Sequence, residues 1–103
     1  MRYQLVLQFQ GDSARDLDDL LKLEERLIDA VGVSAEVDGH DIGSGEANIF
    51  ILTPSPEATF ARVKPVLQAH NLLRVVDAAY RPLTGENYIR VWPEHSSKQF
   101  TAA

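Results

Sequence analysis

The sequence predicts one α+β domain, a single antiparallel sheet with helices packed on it, and three observations carry that expectation. Short runs with strand character and longer runs with helical periodicity follow the order strand, helix, strand, strand, helix, strand, strand. A length of 103 residues with 45% hydrophobic content suits one compact core. No internal repeat, low-complexity block or linker divides the chain. The expected domain spans residues 1–94, and residues 95–103 form a flexible polar tail with an isolated Phe100.

The first strand is expected over residues 3–10, where Tyr3, Leu5, Leu7 and Phe9 alternate with Gln4, Val6, Gln8 and Gln10. That period of two belongs to a sheet with one buried face. Gly11-Asp12 breaks the run, and Ser13-Ala14-Arg15-Asp16 has the S-x-x-D pattern that satisfies free amides at a helix start. Leu17, Leu20, Leu21, Leu27, Ile28 and Val31 follow at helical spacing, with Asp18, Asp19, Lys22, Glu25, Arg26 and Asp29 on the other side. Gly32 is placed to close the helix.

The second strand, over residues 35–42, is weaker, because Asp38 and Gly39 interrupt it and predict a bulge or bend. Gly43-Ser44-Gly45 supplies a turn, and residues 47–53 form a strongly apolar strand that reads as central. Ser55 suits the cap of the second helix and Pro56 its first position, where a missing N–H costs nothing. Phe60, Val63, Leu67 and His70 share one helical face, Pro65 is expected to kink the helix or cut it short, and Asn71 is a left-handed stop. Residues 75–81 and 88–92 are the last strands, joined by the turn Pro82-Leu83-Thr84-Gly85-Glu86-Asn87.

This order resembles the ferredoxin-like α/β plait, and the chain is similar to small bacterial single-domain proteins of that architecture. The likeness covers about residues 3–82 and rests on element order rather than on a diagnostic motif. It implies a βαββαβ antiparallel sheet with two helices on one face, the first and third strands central, and here an additional C-terminal hairpin strand. The plait hosts many unrelated functions, so the resemblance carries no activity with it.

Composition excludes several classes. Without cysteine there are no disulfides, no thiolate metal site and no cysteine nucleophile, which suits a reducing cytoplasm. The residues at the start of the chain lack the continuous apolar region of a signal peptide, and no run approaches the roughly eighteen apolar residues of a membrane span. A soluble, cytoplasmic protein is expected, with no membrane partner. Net charge is −5 and uneven: residues 1–50 hold eleven acids against four bases, and residues 51–103 hold four against six. An acidic domain repels phosphate backbones, so nucleic acid is not an expected partner.

Candidate site residues fall in two groups. The segment from Asp38 to Ile51 combines three glycines with His40, Asp41, Ser44, Glu46, Asn48 and Phe50. An imidazole beside carboxylates is the material of general acid–base chemistry. The spacing matches no metal-ligand motif, and on a strand His40 and Asp41 point to opposite faces. Gly43-Ser44-Gly45 lacks the lysine of a phosphate loop and the frame of a nucleophile elbow, so it reads as a turn. No metal, cofactor or catalytic set is expected. The second group is Tyr88, Arg90 and Trp92, expected on one side of the last strand and extended by Tyr80 and Arg81; Trp, Tyr and Arg are enriched where protein partners bind. An equally ordinary account has Trp92 covering the edge of the core with Arg90 over it.

The sheet face away from the helices should carry Gln4, Val6, Gln8, Asn48, Phe50 and Leu52. With one aromatic and no base it does not suit RNA, while Val6, Phe50 and Leu52 suit protein contact. The leading expectation is therefore a non-catalytic protein-interaction module, homodimeric through this open face. Its variant is an acidic partner for a basic protein, working through Asp18, Asp19, Glu25 and Asp29. A second is a small-ligand sensor: ACT-like regulatory domains resemble this plait and bind small molecules near the loop after the first strand, here Gln10-Gly11-Asp12-Ser13. A third is a small enzyme using His40 with Asp41 or Glu46.

Overall fold

The computed structural model describes residues 2–10, 17–43, 45–96 and 99–102. The expected capping pattern at Ser13, the loop over residues 11–13 and the turn residue Ser44 lie outside the described residues. The elements are β1 (Tyr3–Gln10), α1 (Leu17–Val31), β2 (Glu36–Gly43), β3 (Glu46–Thr53), α2 (Pro56–Ala69), β4 (Asp77–Pro82) and β5 (Ile89–Trp92). The five strands form one sheet in the order β2-β3-β1-β4-β5, and every neighbouring pair is antiparallel. The fold is thus α+β, one antiparallel sheet and two helices. Among the described residues no helix is long and apolar enough to cross a membrane.

β1 is the central strand, and its alternation divides the apolar residues into two clusters. Leu5, Leu7 and Phe9 pack with Ile49 and Ile51 of β3, Ala78 of β4, Leu20, Leu23, Leu27 and Val31 of α1, and Phe60, Val63 and Leu67 of α2. Leu5 and Ile49 have no exposed surface. The intervening Val6 belongs to a separate cluster with Ala79 and Phe100.

The stripe of α1 differs from its expected membership. Leu23 is buried, whereas Leu21 and Ile28 are 42% and 51% exposed. At about 100° per residue Leu23 falls within the arc of Leu20, Leu27 and Val31, and Leu21 and Ile28 turn away to its flank. Gly32, at φ +56°, closes α1 in the left-handed region that glycine enters without penalty.

Pro65 does not cut α2 short; the helix runs through it to Ala69. The local penalty of an interior proline is about 3 kcal/mol. It is offset because Val63 and Leu67, on either side, are fully buried in the core. Ser55 is the N-cap and Pro56 is in the first turn, as expected, but the Ser55 side chain makes no capping bond. Thr53 steadies the entry to the helix instead: its Oγ1 accepts the Ser55 N–H at 2.9 Å and shares a buried 2.6 Å bond with the Thr59 hydroxyl. Asn71 ends the segment after α2 at φ 59°, and His70 is an exposed C-cap rather than a member of the buried face.

Candidate interaction face around Val6

Register decides which side chains share a face with Val6. On β3, Val6 lies opposite Phe50, Gln8 opposite Asn48 and Gln4 opposite Leu52. On β4 the partners of the same three residues are Ala79, Asp77 and Arg81. The middle of the face is made of small side chains, Val6 and Ala79, flanked by Phe50 and Tyr88, and so forms a shallow apolar well.

Phe100 fills that well. It is only 8% exposed, and Val6 and Ala79 beneath it have no exposed surface. Its ring lies 5.0 Å from that of Tyr88, tilted by 56°, and the Arg90 guanidinium stands 6.0 Å from its centroid. Arg90 is itself fixed by Asp77, with 2.7 Å between Nη1 and Oδ1. A polar row continues the face. Gln8 Nε2 donates to Thr101 O at 2.7 Å and to Asn48 Oδ1 at 3.1 Å, and Asn48 Nδ2 donates to Glu46 Oε1 at 3.3 Å. Gln8 and Asn48 are 3% and 1% exposed, so these amides need the partners they have. The patch expected to be open at Val6 is therefore covered at its centre by residues 99–102, while Phe50, Leu52 and Tyr88 remain partly exposed. A groove of about 440 Å³ runs beside Phe100, bounded by Asn87, Tyr88 and Gln99.

The row Tyr88, Arg90 and Trp92 is split between the two faces, a correction to the sequence reading. Ala78 pairs with Trp92 while its neighbour Ala79 pairs with Arg90, so Val91 is an extra residue in the ladder. One extra residue reverses the alternation beyond it. Tyr88 and Arg90 consequently meet Phe100, and Trp92 packs on the main core. The Trp92 ring stacks on Phe60 at 6.0 Å, its Nε1 donates to Leu73 O at 2.9 Å, and the Lys64 ammonium lies 4.4 Å from its centroid. Arg81 holds the turn after β4, donating to Pro82 O at 3.2 Å and Gly85 O at 3.1 Å. Tyr80 packs with the main core and meets Tyr3 edge-on at 5.6 Å.

The expected irregularity at Asp38-Gly39 is present as a register shift between Val37 and Gly39. After it His40 lies opposite Ile49 and Asp41 opposite Asn48, on opposite faces, so the structure does not bring the two together. His40 Nδ1 instead meets Glu24 Oε1 of α1, a buried oxygen with no other partner among the described residues. Sequence reasoning missed Glu24 because only packing of α1 beside β2 brings it to His40. The missed residues on the Val6 face are Phe100, Thr101 and Ala79; the one available signal was a lone aromatic in a polar segment. Among the described residues no group of three His, Asp or Glu is placed to hold a metal ion.

Compared with known proteins, the chain matches no family, no curated protein and no solved structure.

Proposed function

We propose that this protein is a non-catalytic interaction module that forms a homodimer through the Val6 face of a ferredoxin-like plait. The strand order β4-β1-β3-β2, with β5 added outside β4, supports the plait, as does the sharing of one core cluster by the apolar residues of both helices. In such a plait the helices screen one side of the sheet and leave the other for a partner. The observation that carries the reading is the composition of that other side. It holds a second apolar cluster, Val6, Ala79, Phe50 and Tyr88, closed by one short segment rather than by a helix. A cluster of this kind with partly exposed aromatics at its rim suits a second protein surface.

Size-exclusion chromatography with light scattering tests it. The expected mass is twice 11.5 kDa, and Phe50→Glu is expected to return it to that of one chain by placing a charge in the interface. A wild-type protein that stays monomeric at about 1 mM, where even a millimolar dimer would be populated, overturns the reading.

A further inference from the structure

We infer that the free edge of β2 is a docking site for an extended strand of another protein, one in which arginine alternates with aliphatic residues. The inference concerns a different part of the molecule from the proposed dimer face and goes beyond that reading.

β2 lies at one end of the sheet and, among the described residues, pairs with β3 alone. Its outward main-chain amides and carbonyls therefore have no strand beside them, and such an edge accepts a further strand unless something guards it. The common guards are lysine, proline and irregular backbone. Residues 36–43 contain neither lysine nor proline, and the irregularity falls between Val37 and Gly39. Gly39 to Gly43 then run in unbroken register with Phe50 to Glu46, and residues 40–43 are exposed.

The two sides of this edge ask for different side chains. Ile49 and Ala47 face the main core, so His40 and Ile42 opposite them lie on the helix side, where His40 meets Glu24 of α1. Leu21 and Ile28, three residues before Glu24 and four after it, share its flank of the helix. All three aliphatic side chains around that contact, Leu21, Ile28 and Ile42, are exposed. A strand laid beside β2 turns every second side chain toward them.

On the other side stand Glu36 and Asp41, opposite Leu52 and Asn48, with Gly39 opposite Phe50. Gly39 has no side chain and open space where one would be, so the partly exposed Phe50 ring can be approached across it. A strand beyond β2 lies about 10 Å from β3, a gap that an arginine and a phenylalanine leaning toward each other close. The guanidinium then has carboxylates to pair with and an aromatic face to lie on.

Charge decides between occupants. From Arg26 to Arg62 the chain has six acids and no intervening lysine or arginine. A second copy of β2 set against the first brings Glu36, Asp38 and Asp41 toward the same acids, and like charges across a ladder are destabilising. The edge thus rejects its own copy and favours a cationic strand, while the aliphatic side sets the alternation.

The test uses the full-length chain and a fluorescein-labelled peptide, Arg-Val-Arg-Ile-Arg-Val-Arg, read by fluorescence anisotropy at about 0.05 M salt, where screening is weak. Saturable binding is expected, about tenfold or more tighter than for the same peptide with proline at its centre or with glutamate for arginine. The double variant Glu36→Lys/Asp41→Lys, changed at two exposed positions, is expected to bind about tenfold more weakly with an unchanged circular dichroism spectrum. A wild type that binds none of the peptides, a proline peptide that binds as tightly, or a folded double variant that binds undiminished overturns the inference. Should the double variant fail to fold, an NMR titration of the wild type decides. Amide shifts centred on residues 39–43 support the edge, and shifts centred on the Val6 face overturn it. The light-scattering mass that tests the dimer is a separate measurement, so either reading fails without the other.

Discussion

Replacing Phe100 by alanine is expected to open the C-terminal segment without unfolding the domain, and the magnitudes follow from the structure. Phe100 is 8% exposed, so nearly all of its side chain is removed from water. Burying a phenylalanine covers about 150–250 Å², worth about 4–6 kcal/mol at about 25 cal/mol per Å². Holding residues 99–102 in one conformation costs about 1–2 kcal/mol each, or about 4–8 kcal/mol together. The two nearly cancel, and the Gln8–Thr101 bond adds only about 1 kcal/mol. The closed segment therefore sits within a few kcal/mol of its open form, and Phe100 is what keeps it closed. In urea denaturation Phe100→Ala is expected to lower global stability by no more than about 2 kcal/mol, because release of a terminal segment is a local event. Leu27→Ala, in the main core and fully buried, is expected to cost about 3–5 kcal/mol in the same assay. Hydrogen exchange should show amides 99–102 losing protection in Phe100→Ala while those of β1 and β3 keep theirs. A loss equal to that of Leu27→Ala, or unchanged protection at residues 99–102, would refute the reasoning.

Three further outcomes are expected. Thr59→Val should cost about 1–3 kcal/mol by urea titration, since it leaves the buried Thr53 hydroxyl without its 2.6 Å partner, and the Thr53→Val/Thr59→Val pair should cost less than the two singles summed. His40→Leu should destabilise by a similar ~1–3 kcal/mol by stranding the buried Glu24 oxygen, and adding Glu24→Leu should recover most of the loss; strictly additive effects would show that the two residues do not act as a pair. Gly32→Ala meets no atom within 4 Å, so its cost is the left-handed backbone alone, about 1 kcal/mol, read as a drop in Tm with unchanged circular dichroism.

Local chemistry made much of the fold legible before any coordinates. A period of two over residues 3–10 and helical spacing over residues 17–31 report the side on which each element meets the core, because that information repeats along the chain. Pro56, Gly32 and Asn71 mark helix ends through their own backbone preferences. These features need no distant partner, and the observed elements follow them to within about two residues.

What tertiary structure alone decided is the sidedness and pairing of the residues that matter at the site. An extra residue at Val91 and the shift between Val37 and Gly39 exist only relative to a neighbouring strand, and each reverses which face the following side chains occupy. Hence Trp92 parts from Arg90, and His40 turns to Glu24, sixteen positions back along the chain. Phe100 carried no periodicity from which a position could be read. Its place over Val6 is set by an apolar cluster to which three strands contribute Val6, Phe50 and Ala79, and a lone aromatic finds such a cluster only once the sheet exists.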